Sequence, residues 1–187
     1  MRDLLQRVQR ALPRVAEWID ELQAAHLPAS APASRVLVWA RAGWFPSPVV
    51  DEARVVSVTK IPFPPVSDYG LPEFEAMAAM PMAGITFRSM YFVDEAQASD
   101  GVHFHELVHV IQWQTLGVRQ FLSTYALGIL QYGYAESPFE AMAYELQRRF
   151  ESGVAPTALG GSVAHHANAT RDAAARVYRE HGLEMGA

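Results

Sequence analysis

The sequence predicts an α+β domain in which a small mixed or antiparallel sheet packs on one central helix, with further helices downstream. Three observations predict it. β-Branched and aromatic residues gather at 36–39, 53–58 and 84–93, the composition of strands. Apolar residues recur at helical spacing near the start of the chain and again from about 101 to 151. Half of the 187 residues are hydrophobic and none is cysteine, so a packed core and not a disulfide framework must hold the fold.

The elements follow in chain order. Over 2–25, Leu4, Leu5, Val8, Leu12, Val15, Trp18, Ile19 and Leu22 recur at helical spacing, and Pro13 is expected to kink or divide the segment. A Pro/Ala/Ser connector at 27–34 leads to strands at 36–39 and 53–58. Residues 60–72 carry four prolines and Gly70, the composition of a long irregular loop, and a short helix is expected over 72–80. Residues 84–93 read as a strand or tight hairpin. Helices are expected at about 101–115, 118–132 and 138–151. The stretch 152–169, rich in Gly, Ala and Ser, is expected to be flexible, before a C-terminal helix over 170–182. No internal repeat is visible. The whole of 1–187 is read as one domain, with an N-terminal helical segment at 1–26 and a core at 35–151.

A net charge of −5, with no long Lys/Arg run, offers nothing to neutralise a row of phosphates, so nucleic acid is not an expected partner. The first residues, M-R-D-L-L-Q-R-V-Q-R, interrupt their apolar positions with charge and do not read as a secretory signal. No window approaches the ~18 apolar residues that span a bilayer. A cytoplasmic location without membrane attachment is the expectation. Without cysteine, any metal must be held by His, Asp or Glu.

Residues 102–113 read V-H-F-H-E-L-V-H-V-I-Q-W, within which His105, Glu106 and His109 form H-E-x-x-H. Residues four apart on an α-helix are offset by only about 40°, so the two imidazoles stand on one face and can share a metal ion. Glu106, about 100° around from His105, lies beside them, placed to take a proton from water without ligating. His103 points away from this face. Gln112 lies on it one turn on, as a support for the site or as a plain surface residue.

A catalytic zinc takes three protein ligands and keeps one open position. The metzincin continuation requires Gly at 112 and His at 115, where this chain has Gln112 and Thr115. The third ligand is therefore expected to be a carboxylate on a later helix. Glu136 and Glu140 fall 27 and 31 residues after His109, room for one intervening helix to return the chain. Glu140 is favoured, because it sits on the helix proper beside small Ala141 and Ala143. Yet Ser137-Pro138-Phe139-Glu140 also spells a capping box, which would occupy Glu140 and leave Glu136 as the ligand. Glu145 is a further alternative.

Taken together, I-T-F-R-S-M-Y-F-V, H-E-L-V-H-V-I-Q-W and G-Y-A-E-S-P-F-E-A-M-A resemble the gluzincin class of zinc metallopeptidases, above all its small bacterial members of mostly unknown function. The resemblance covers about 84–151. It implies a zincin-like fold, a strand at the sheet edge above the zinc helix, and a third-ligand Glu in an E-x-x-A setting, here Glu140 to Ala143. The thermolysin-like N-E-x-x-S-D and a downstream histidine are missing. Tyr134 is the nearest substitute as oxyanion donor, if it is not simply a core tyrosine.

The expectation is thus a metallopeptidase holding one Zn²⁺ per chain through His105, His109 and Glu140, with Glu106 as general base and a peptide or protein as substrate. The resemblance further implies that the edge strand aligns an extended peptide. The alternative is a catalytically inactive domain of the same fold that serves interaction, with or without structural zinc. His165 and His166, in the stretch expected to be flexible, are read as solvated.

Overall fold

The computed structural model describes residues 1–154 and 158–185. It is an α+β arrangement of seven α-helices and one four-stranded sheet. Helix α1 (Arg2–His26) buries Leu5, Val8, Ala11, Leu12, Val15 and Ile19 along one stripe. Pro13 lies within it and does not divide it; the proline is exposed, so water can meet the carbonyl left without its usual donor.

A two-residue strand β1 (Ala31–Pro32) leads into α2 (Ala33–Val36) and a 3-10 turn over Val38–Ala42. The strand expected at 36–39 is absent. Its β-branched residues face outward, with Val38 83% exposed and Val36 47%, while Ala33, Leu37 and Ala40 are buried at helical spacing. Helix α3 (Ser47–Glu52) then precedes β2 (Arg54–Val58), close to the expected 53–58. The proline-rich 60–72 is irregular as expected, and the helical stretch after it shrinks to a 3-10 turn and α4 (Glu75–Ala78).

Residues 84–93 form a hairpin of β3 (Gly84–Phe87) and β4 (Met90–Asp94). Its turn places Arg88 at φ 57, a left-handed conformation uncommon outside glycine, and the Arg88 guanidinium is tied to Asp20 of α1 at 2.7 Å. The strand order is β1-β2-β4-β3, with β2 and β4 parallel and the outer pairs antiparallel. The sheet is therefore mixed, and β3 is one of its edges.

Helix α5 (Asp100–Tyr132) starts at Ser99, whose hydroxyl accepts from the Val102 amide at 3.2 Å. It contains a break at Gly117, with φ 69 and ψ 173, so it consists of the two helices expected at 101–115 and 118–132 joined at a bend. The first arm packs Phe104, Leu107, Val108, Val110 and Ile111 beneath the sheet, all essentially inaccessible. Helix α6 (Pro138–Glu151) has the expected bounds and packs on α5.

Helix α7 (Leu159–Glu180) corrects the reading of 152–169 as flexible, apart from 155–157, which lie outside the described residues. The helix begins well before 170. Leu159, Val163, Ala167, Ala174 and Tyr178 are buried at spacings of whole turns, and a Cβ on Gly160 would fall 2.7 Å from Pro46 Cγ. The small residues there serve close helix packing and not mobility. Among the described residues, no helix is long and apolar enough to cross a membrane.

Two glycines separate backbone need from helix propensity. At Gly117 there is open space for a Cβ but the backbone conformation is one that only glycine adopts readily, so Gly117→Ala should lower the unfolding free energy by about 1–3 kcal/mol. At Gly161, inside α7 with open space and no positive φ, alanine should raise it by up to about 1 kcal/mol. Urea unfolding of both variants checks the opposite signs. Equal effects would mean that the bend at Gly117 is not obligatory.

Candidate metal centre

The first arm of α5 places His105 and His109 one turn apart, their rings 4.7 Å apart and their Nε2 atoms 3.0 Å apart. From α6, Glu140 brings Oε2 to 3.2 Å from His105 Nε2 and Oε1 to 3.3 Å from His109 Nε2. All three residues are buried. Ligands held about 2.0–2.1 Å from a zinc ion at tetrahedral angles are themselves about 3.3 Å apart. The two imidazole nitrogens are near that separation, and each lies near it from a different oxygen of the one carboxylate, Oε2 for His105 and Oε1 for His109, so the donor set suits a zinc ion. Among the described residues, no other group of three His, Asp or Glu converges in this way.

Burial and convergence favour Glu140 among the glutamates. Glu136 is exposed in the turn before α6, and Glu145 is spent on Arg148 and Arg149 at the surface. Glu140 does not complete a capping box either. Ser137 occupies the N-cap position without a side-chain cap bond, and its hydroxyl is buried without a partner. The carboxylate turns inward because two imidazoles lie there.

Supporting contacts fix each of these groups. His109 Nδ1–H donates to Gln112 Oε1 at 2.8 Å, which turns Nε2 toward Glu140 and His105 as the nitrogen a metal would use. Gln112 is fully buried, and its amide donates to the Phe139 carbonyl at 3.3 Å, tying α5 to the start of α6. Tyr125, on the second arm of α5, donates its phenol to Glu140 Oε1 at 2.6 Å. His105 Nδ1 has no protein partner; the Tyr144 ring lies 4.5 Å from the His105 ring.

Glu106 points toward the edge strand. The Thr86 hydroxyl donates to its Oε2 at 2.6 Å, and the Thr86 carbonyl accepts from Trp113 Nε1 at 3.1 Å. A Cβ on Gly84 would sit 2.5 Å from Glu106 Oε1, so glycine is what lets β3 and this carboxylate lie together. Burial pushes the Glu106 carboxyl above its ordinary pKa, opposed by both histidines and by Thr86. Burial acts in the same upward direction on Glu140, but His109 and His105 outweigh it and hold Glu140 well below the usual carboxylate range. For His109, burial works downward and is overcome by the Glu140 and Glu106 carboxylates, which hold it up at about 9.

Tyr134 lines the same cavity as Glu106, His109 and Glu140. Burial first, then Glu140 and Tyr144, push its phenol well above the usual range, so it stays a protonated donor. His103 meets Tyr91 instead, its Nδ1 3.2 Å from the phenol oxygen, away from the cluster. His165 and His166 lie on α7, helical and not in a solvated loop, and take no part in the cluster. Sequence reading missed Thr86, Gly84 and Tyr125. The first two sit in a strand whose only signal was its composition, and Tyr125 lies in an apolar run where a tyrosine draws no notice.

Comparison of the chain with protein-family models, with curated proteins and with solved structures gives no match.

If Glu140 is the third ligand, Glu140→Gln should reduce zinc affinity by orders of magnitude, because a neutral amide replaces an anion, while Glu136→Gln should be nearly silent. Tyr125→Phe should cost roughly 10- to 100-fold, the usual effect of removing a partner that orients a ligand. Competition with a chromogenic chelator measures all three. A large loss confined to Glu136→Gln would overturn the assignment.

Proposed function

We propose that this protein is a zinc-dependent metallopeptidase of the gluzincin type, with a zincin-like fold, hydrolysing peptide bonds. One observation supports the reading: His105, His109 and Glu140 converge, buried, with their ligand atoms close enough to share one metal ion, and the Glu106 carboxylate stands on the next helical position beside them. Zinc bound by these three residues supplies the acidity that brings a water pKa toward ~7.

The chain's own groups account for the remaining chemistry. Glu106 takes the proton of the attacking water and returns it to the departing amine nitrogen. Thr86 holds Oε2, so Oε1, in the space that Gly84 leaves free, is the oxygen available for that proton. Tyr125 holds Glu140 in place through one carboxylate oxygen, and Gln112 holds His109 in the ligating tautomer. Tyr134, a protonated phenol on the cavity wall, is the donor for the oxygen that becomes negative as the carbonyl is attacked.

The edge strand offers less main-chain pairing than the resemblance implies. Its Thr86 carbonyl is taken by Trp113, and the Phe87 carbonyl accepts from Gln23 Nε2 at 2.9 Å. Substrate binding must therefore draw on other surfaces.

With zinc-loaded protein and a diverse peptide library read by mass spectrometry, Glu106→Gln should retain one zinc per chain and lose at least about 100-fold in hydrolysis, the usual share of a general base. Cleavage at the wild-type rate would remove Glu106 from this role. Absence of cleavage by a wild-type protein shown to hold zinc would count against the peptidase reading.

A further inference from the structure

A partly open cavity of about 130 Å³ borders Glu106, His109, Glu140 and Tyr134 and runs away from them between apolar walls. One of those walls comes from segments that the gluzincin resemblance does not cover. Val8 and Leu12 of α1, Phe63 of the proline-rich loop and Met77 of α4 line it, facing Leu122 and Ile129 of the second arm of α5. The same side chains belong to one hydrophobic cluster that leaves this space unfilled at its centre.

Among the described residues, the lining contains no lysine or arginine, and its only charged groups stand at the metal end, two of them carboxylates. A ligand with an anionic terminus would find no countercharge, and a polar chain would lose its water without regaining hydrogen bonds. An apolar cavity of this size favours a hydrocarbon guest over water. Because the cavity is continuous with Glu106 and Glu140, the guest's reactive end would lie at the candidate site.

We propose that the first eighty residues, together with the second arm of α5, build a substrate pocket, and that the substrate carries an uncharged hydrocarbon group larger than methyl next to the bond that is cleaved. This rests on the hydrolase reading above and names its substrate class. The group has two chemical sources, the acyl chain of an N-acyl amide or a large apolar side chain of a peptide, and the pocket treats both as buried hydrocarbon.

Hydroxamates test this because they bind zinc through a constant headgroup. Zinc-loaded protein is titrated with acetohydroxamate, then with butanoyl, hexanoyl and octanoyl hydroxamates, and separately with the hydroxamates of N-acetylalanine, N-acetylleucine and N-acetylphenylalanine. Affinity should climb in at least one series, roughly threefold to fourfold for each methylene that enters the pocket. The series that climbs identifies the source. Ala126→Phe, which places a ring in the cavity wall, should flatten that climb, with folding checked by thermal melting. If acetohydroxamate binds and neither series gains affinity in wild-type protein, the pocket proposal is overturned and the zinc site stands. If zinc-loaded protein does not bind acetohydroxamate, the hydrolase reading fails, and the proposal with it.

Discussion

A carboxylate that is 2% exposed must be compensated where it lies, and in this protein that carboxylate is Glu140. Its two oxygens meet His105, His109 and the Tyr125 phenol, three partners from both arms of one helix. The rest of the structure can be understood as the set of constraints needed to bring those partners to one point. Ser137 gives up its cap, Gln112 is buried whole to hold His109, and α6 is drawn against α5 along its apolar face.

The bend at Gly117 is the geometric condition for this. Tyr125 follows His109 by sixteen positions, which on a straight helix is roughly 24 Å of axial rise. Yet the Tyr125 hydroxyl and His109 Nε2 both reach the same oxygen of Glu140, at 2.6 and 3.3 Å. Only a helix that turns back on itself allows that. The turn is made at a residue whose φ of 69 and ψ of 173 favour glycine. The same bend faces Leu122 and Ile129 toward α1, so the cavity and the supporting phenol come from one backbone feature.

Much of the site was legible because its residues sit at fixed helical offsets: His105, Glu106 and His109 need no tertiary information to share a face. Preferring Glu140 over Glu136 was only partly legible, since local sequence offered Glu140 both a cap and a metal; in the structure Glu140 is buried beside the histidines and Glu136 is exposed. Thr86 and Tyr125 were not legible. Their partners lie 20 and 15 residues away, at distances that depend on the hairpin register and the bend. In the fold, the hairpin, α6 and the break between the two arms of α5 followed from composition and period. The errors at 36–39 and 152–169 share a cause. β-Branched or small residues specify a strand or a flexible linker only if their surroundings do not bury their neighbours at helical spacing, and here Leu37 and Ala40 in one case, and Leu159 and Val163 in the other, are so buried.

The charge at the cluster bears on what it holds. With Glu106 and Glu140 ionised and both imidazoles neutral, four buried side chains carry two negative charges against a largely apolar cavity wall. One proton on His109, which Glu140 and Glu106 favour, cancels half of that and occupies the nitrogen lone pair that faces the carboxylate. A divalent cation would cancel all of it, held by His105, His109 and Glu140. It would also leave Glu106 free, because Thr86 and Gly84 hold that carboxylate beside the edge strand. On the proposed reading, the arrangement separates one acid that would bind the metal from one that would react, two residues of the same type in different surroundings.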